Sequence, residues 1–179
     1  ERWNRRINLT AIRDRRTAVV RHFVEPAMAV RHLAGAGPVL LDVGSGAGAP
    51  GLVLKILEPD RHCVLVESNA KKATFLKEVV DALELAGVTV VDERLEEAIE
   101  QGRIPQPVHV LTARAWTDWG PMLGLVASIM VPGGRALLFV GEETLRALRR
   151  NLSTGGAAAN PSDRQWRRAA RAGWGVKQA

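Results

Sequence analysis

An apolar run from Val39 to Val43 breaks off into Gly44-Ser45-Gly46-Ala47-Gly48-Ala49-Pro50-Gly51, and a helical pattern from Gly51 to Leu57 follows. Strand, glycine turn and helix in that order present bare backbone to a ligand at the end of a buried strand. Glycine is needed there because a side chain would block close approach and because φ must be free to turn positive. The start of the following helix carries partial positive charge, which favours an anionic group beside the turn. The next apolar run, Cys63-Val64-Leu65-Val66, ends in Glu67, at the usual interval of about twenty residues. A carboxylate at that strand end accepts hydrogen bonds from the ribose hydroxyls of a nucleoside. Together the two features point to an adenosine cofactor.

Two cofactor classes share this arrangement. The Gly-x-Gly-x-x-Gly/Ala turn of dinucleotide folds is met loosely by Gly44 to Ala49, and the Gly-x-Gly-x-Gly turn of S-adenosylmethionine folds is met directly by Gly44, Gly46 and Gly48. A turn that only packs a helix on a sheet is the third reading, and Glu67 at the matching strand end weighs against it. The turn by itself leaves the two cofactors open.

The rest of the chain alternates strands and helices. Val19, Val20, Phe23, Ala27, Val30 and Leu33 recur at helical spacing, and Gly35-Ala36-Gly37-Pro38 ends that helix. Asn4 to Ile12 reads as an ordered entry loop. Ala70 to Ala86 is the clearest helix, with Ala73, Leu76, Val79, Val80 and Leu83 as its buried stripe and Gly87 as its C-terminal cap. Val88 to Val91 and Val108 to Thr112 are the third and fourth strands. Met122 to Val131 reads as a helix stopped by Pro132-Gly133-Gly134, and Arg135 to Val140 as the fifth strand. This succession predicts a doubly wound, mostly parallel α/β sheet, with ligands at the carboxyl ends of its strands.

Charge is unevenly placed. Residues 1–32 carry eight basic and three acidic side chains, residues 33–143 nine and fifteen, and residues 144–179 eight and one. An acidic centre between basic ends suits a polyanion-binding enzyme, although solvated terminal arginines give the same pattern. With no apolar run near eighteen residues, a membrane span is not expected. The opening shows no secretory signal pattern, and the single cysteine, Cys63, falls inside a strand without a partner; a cytoplasmic protein is expected. No Cys/His metal set is present in the sequence. Glu1 is not an initiator methionine, so the start is expected upstream. Asn151 to Ser162 is rich in Gly, Ala, Ser, Asn and Pro, and the basic segment from Trp166 to Trp174 holds two tryptophans. That tail reads as disordered, with RNA binding as its alternative.

Asn8-Leu9-Thr10-Ala11-Ile12, Arg21-His22-Phe23, the Asp42-to-Gly51 turn, Glu67-Ser68-Asn69-Ala70-Lys71-Lys72, Phe75-Leu76, Arg94-Leu95-Glu96 and Thr112-Ala113-Arg114-Ala115 occur in order. This set resembles the bacterial 16S ribosomal RNA guanine-N7 methyltransferases, the glucose-inhibited division protein B family, over roughly residues 3–150. The resemblance implies a class I, Rossmann-like methyltransferase fold and methyl transfer from S-adenosylmethionine to N7 of a guanine in 16S RNA or the small ribosomal subunit. It implies a cofactor site of Gly44, Ser45, Gly46, Gly48, Ala49, Glu67, Leu95, Glu96 and Arg114. Glu67 would hold the ribose, Leu95 and Glu96 would flank the adenine, and Arg114 would reach the methionine end or the target base. The implied organisation is a basic helical segment (1–38), the cofactor-binding domain (39–150) and the basic tail (151–179), acting as a monomer without metal.

Plainer readings accompany these. Arg114 also reads as a structural ion-pair partner, Lys71 and Lys72 as a solvated helix start, and His22 as an exposed or satisfied helical histidine. The sequence departs from the family in four respects. Ala49 stands where a large apolar or aromatic residue is usual, Glu25-Pro26 where Asp-Ser is usual, and Val140 where a lysine is usual. Finally, no alternating apolar runs for the family's closing hairpin follow residue 150, which leaves the fifth strand as an edge and implies a truncated or divergent member. A non-catalytic relative binding cofactor or RNA is the alternative function. An NAD-dependent dehydrogenase is a third, weakened by the lack of a hydride-transfer constellation.

Overall fold

Alternate residues of each strand face opposite sides of one sheet, and both sides are apolar, as a parallel sheet covered by helices requires. The computed structural model describes residues 3–114, 119–146 and 176–177. The chain runs through α1 (Asn4–Ile7), α2 (Arg15–Val19), a π turn (Val20–Val24), α3 (Glu25–Ala29) and a 3-10 turn (Val30–His32). It continues through β1 (Val39–Val43), α4 (Gly51–Leu57), β2 (His62–Val66), α5 (Ala70–Ala82), β3 (Val88–Val91), α6 (Leu95–Glu100), β4 (Val108–Arg114), α7 (Trp119–Ala127), β5 (Met130–Phe139) and β6 (Val176–Lys177). The strand order is β3-β2-β1-β4-β5-β6, and every pairing is parallel. The order reverses between β1 and β4, so the crevice for a ligand lies where those two strands end.

Leu41, Val43, Val64, Val66, Leu111, Ala113 and Leu138 pack on one face with Leu95 and Ala98 of α6 and Met122 and Val126 of α7. Leu40, Cys63, Leu65, Val110, Leu137 and Phe139 pack on the other with Leu52 and Leu54 of α4, Leu76 of α5, and Ala29 and Leu33 of the N-terminal helices. The N-terminal segment is tied to this second face through Arg61, which donates to the carbonyls of Leu33 (2.8 Å), Ala36 and Gly37. Arg135 adds a bond to the His32 carbonyl at 2.5 Å.

Several expectations change. Asn4 to Ile12 is not a loop throughout: α1 forms, and the Asn4 side chain accepts from Thr10 N–H at 2.8 Å. The N-terminal apolar stripe is buried only at its end. Leu33 is buried, whereas Val19, Val20 and Phe23 are exposed, because the π turn widens the helical repeat and rotates the stripe off the sheet. The helix expected at Ala70 to Ala86 ends at Ala82, with Glu84 at φ 50° and Leu83 exposed; Gly87, at φ 68°, instead begins the approach to β3. The helix expected from Met122 to Val131 is α7, shifted toward the N-terminus. The Pro-Gly-Gly after it lies within β5: Gly133 takes φ 78°, and an irregular register between Val108 and Val110 absorbs the extra residues. The fourth strand extends two residues further, to Arg114.

The outer side of β5 is not bare. Val176 and Lys177 pair with Ala136 and Leu137 in parallel, so this part of the tail expected to be disordered forms a short strand. The expected features between Asn151 and Trp174 lie outside the described residues.

Gly51, the first residue of α4, is buried against β1 and β2. A Cβ there would lie 2.6 Å from Leu65 Cδ2 and 2.7 Å from Asp42 Oδ2. Gly51→Ala is expected to destabilise the protein by about 1–3 kcal/mol through overpacking, read as a lower urea midpoint at unchanged slope.

Candidate functional site

At the end of β1 the chain turns through three residues of positive φ: Gly44 (68°), Gly46 (54°) and Gly48 (87°). The turn is anchored to the neighbouring strand, since the N–H groups of Gly44 and Ser45 donate to the Val66 carbonyl at 2.9 and 3.1 Å. Gly44 is exposed, and Gly46 and Ala49 are half-buried. Ser45 is turned inward, with its hydroxyl donating to the Asp42 carbonyl at 3.0 Å. Gly48 is buried beneath the turn, where a Cβ would strike Leu52 and approach Leu76. The glycines therefore divide the work: Gly44 and Gly46 present backbone outward, and Gly48 lets the turn pack on α4 and α5.

Glu67 closes the turn from β2. Its Oε2 accepts from Gly46 N–H at 2.8 Å and its Oε1 from Asn69 N–H at 2.9 Å. Each carboxylate oxygen retains a further acceptor position. Asn69 in turn caps α5 by accepting from the N–H groups of Lys71 and Lys72 at 3.1 and 3.3 Å. Beside this junction is a cavity of about 100 Å³ lined by Val43, Gly44, Val66, Ser68, Glu93, Arg94, Leu95 and Glu96. The fold thus brings Gly44, Leu95 and Glu96 to one cavity, with Glu67 directly following Val66 in its wall. Leu95 is buried and Glu96 exposed.

Beneath the turn, Asp42 is fully buried and its Oδ1 accepts from Thr112 Oγ1 at 2.6 Å across the β1–β4 pair. Burial pushes its carboxyl up from 3.8 to about 6, against the hydrogen bonds that hold it down.

Arg114 lies one position beyond the paired Val43 and Ala113, and hence beside Gly44 at the strand ends. Its guanidinium is 4.7 Å from the ring centroid of Phe139, its cross-strand neighbour on β5. Among the described residues it pairs with one carboxylate, Nη1 to Glu25 Oε2 at 3.4 Å, and Glu25 Oε1 also meets Arg21 at 3.0 Å. Its Nε and Nη2 are buried with no hydrogen-bond partner among the described residues. Burial holds its pKa below the usual value, opposed by Glu25. His22 projects from the π turn into the same neighbourhood. Its Nε2 is 3.1 Å from Thr10 Oγ1, while Nδ1 is buried and unpartnered, so it is satisfied on one side only. Burial and the Arg114 charge hold its pKa down.

Sequence reasoning singled out Arg114 but not the group around it. Glu25 stands in the sequence only as a departure from the family, beside the Arg21-His22-Phe23 motif, and Phe139 only as part of the fifth strand. Their meeting with Arg114 follows from the tertiary arrangement. Among the described residues no group of three or more His, Cys, Asp or Glu could hold a metal, and no helix is long and apolar enough to cross a membrane.

A glycine turn closed by a strand-end carboxylate at the reversal point of a parallel sheet defines the Rossmann-like α/β class of nucleoside-binding folds. Solved structures of this fold include a precorrin-6y C5,15-methyltransferase from Geobacter metallireducens (TM-score 0.60, 17% identity, covering 72% of this chain and 68% of that one). Another is an S-adenosylmethionine-dependent O-methyltransferase from Thermotoga maritima (TM-score 0.61, 16% identity, 73% and 49%). Within the class, the family model for rRNA small subunit methyltransferase G (GidB) matches residues 1–154, and the chain belongs to that family. The ribosomal RNA small subunit methyltransferase G of Roseiflexus castenholzii is 42% identical over 152 residues, covering 81% of this chain and 64% of the relative. That of Halorhodospira halophila is 42% identical over 142 residues, covering 79% and 64%. The chain spans less than two thirds of the length of these curated relatives.

Proposed function

We propose that this chain transfers a methyl group from S-adenosylmethionine to N7 of a guanine in 16S RNA of the small ribosomal subunit. The observation that carries this reading is the glycine turn joined to Glu67, with unpaired Arg114 donors beside it, in a chain of this family. The residues fit the cofactor. Gly44 and Gly46 offer backbone free of side chains, Glu67 has acceptor positions for ribose hydroxyls, and the cavity lined by Leu95 and Glu96 suits an adenine. Arg114 donors suit a carboxylate or a base oxygen. Ser45, Gly48 and Ala49 contribute by shaping the turn.

When bound, the cofactor supplies a methyl group already activated on a sulfonium. Guanine N7 has a free lone pair and no proton, so the protein needs no general base. Its task is to hold donor and acceptor in line and keep water away. Glu67 and the turn fix one end, and Arg114 orients the other. Residues 1–38, 39–150 and 151–179 then serve as a basic helical segment, the cofactor domain and a second basic segment.

Val140 in place of a lysine, half-buried against the α6–α7 face, favours a second reading, a relative that binds cofactor or RNA without transfer. Labelled methyl transfer to small-subunit RNA lacking the modification separates the two. Label incorporated above a no-enzyme control and mapped to one guanine N7 is the expected result; binding of the demethylated cofactor with no transfer selects the second reading.

Glu67→Ala is expected to weaken S-adenosylhomocysteine binding by about 1–3 kcal/mol, because a charged hydrogen-bond acceptor is lost. Isothermal titration reads this directly, and unchanged affinity would remove Glu67 from the site.

A further inference from the structure

We propose that the Glu25–Arg114 pair reads the Watson–Crick edge of the target base, Arg114 donating to guanine O6 and Glu25 accepting from N1–H. This rests on the proposed function and assigns it a specificity device.

Arginine–carboxylate pairs frequently engage the guanidinium fork in a bidentate contact. Arg114 instead touches Glu25 through one nitrogen at 3.4 Å, and its Nε and Nη2 are buried and unpaired among the described residues. The Phe139 ring supports the guanidinium from one side, 4.7 Å from its centroid. The result is a positioned cation whose donors are not consumed. His22 Nδ1 is unpaired in the same neighbourhood. Such a concentration of unsatisfied buried polar atoms calls for a partner, and its position beside Gly44 puts that partner next to the cofactor turn.

The order of groups selects the partner. Glu25 and Arg114 set an acceptor next to a donor. Guanine offers the complement, with O6 accepting and N1–H donating on adjacent atoms. Adenine offers the reverse, an N6 amino group beside an N1 acceptor, and would leave both protein groups facing their own kind. Enzymes acting on a base commonly read its Watson–Crick edge in a pocket of this type, and leaving such polar groups unpaired gives strong discrimination. Contact on O6 and N1 also leaves N7 free to accept the methyl group. Glu25 opens α3 directly after the π turn at Val20–Val24, the kind of helical irregularity often found at functional sites.

The test uses the whole chain saturated with S-adenosylhomocysteine, titrated by NMR with GMP, AMP and 1-methylguanosine 5′-monophosphate, which lacks the N1 proton. GMP is expected to bind about tenfold tighter than either of the others. Glu25→Gln, which keeps the size of the side chain and removes its charge, should reduce that preference to about threefold or less; a purely structural role would leave the ratio unchanged. Equal binding of GMP and 1-methyl-GMP, no binding of either, or a full preference retained in Glu25→Gln overturns the inference. Failure of S-adenosylhomocysteine itself to bind overturns the proposed function and the inference with it.

Discussion

Arg114→Ala is expected to lower methyl transfer by about a hundredfold to a thousandfold, the usual cost of removing one positioned donor from an active site. Folding should suffer far less. The side chain contributes one ion pair of 3.4 Å and a stack on Phe139, together worth about 1–2 kcal/mol. Removing it does not strand Glu25, which keeps Arg21 at 3.0 Å. The substitution also relieves the desolvation that depresses Arg114 in the folded state. Initial rates on unmodified small-subunit RNA, set beside urea midpoints, separate the effects. If stability falls as far as activity, Arg114 is a structural ion-pair partner.

The second large effect concerns Asp42. Its carboxyl rises from 3.8 to about 6 on folding, so the folded state favours the protonated form. The stabilisation linked to this proton is complete below the unfolded value near 3.8 and is lost as pH climbs through about 6. The shift corresponds to about 3 kcal/mol. Unfolding free energies of the protein and of Asp42→Asn should therefore diverge as pH falls from 7 to 4, the protein gaining about 2.5 kcal/mol relative to the variant. The comparison cancels His22. Its lowered pKa acts in the opposite direction, removing stability as pH drops below its ordinary 6.5. A difference that stays flat with pH would mean that Asp42 is not held in a desolvated site. Carrying a costly carboxylate under the glycine turn has a structural return: Asp42 accepts the Thr112 hydroxyl and so joins β1 to β4 where the sheet order reverses.

The parts of the fold that could be read from the sequence are those written in local chemistry. Val39–Val43, Gly51–Leu57 and Val88–Val91 fall where the glycine turn and the short apolar runs put them, because each is a short apolar run bounded by glycine, proline or charged residues. Pro132-Gly133-Gly134 misled because such a sequence ordinarily breaks an element. Here a positive φ at Gly133 and an irregular register let β5 run through it. The N-terminal stripe misled because a single π turn shifts the helical phase, and nothing in Val20–Val24 announces one.

The candidate site divides in the same way. Gly46 and Glu67 meet as their spacing suggested, because both sit at the ends of adjacent strands. The Thr112 contact of Asp42 and the Glu25 contact of Arg114 span 70 and 89 residues. They follow from strand order and from how the N-terminal helices lie on the sheet, which no local pattern encodes.

The proposed S-adenosylmethionine site is built on the glycine turn and Glu67. A thermal melt with S-adenosylhomocysteine, and with NAD as control, tests it most directly. At about a hundredfold above its dissociation constant a bound ligand stabilises the folded state by roughly 2.7 kcal/mol. A cooperative melt raised by S-adenosylhomocysteine and unmoved by NAD is expected. A cooperative melt that NAD raises, or that neither ligand moves, would contradict it.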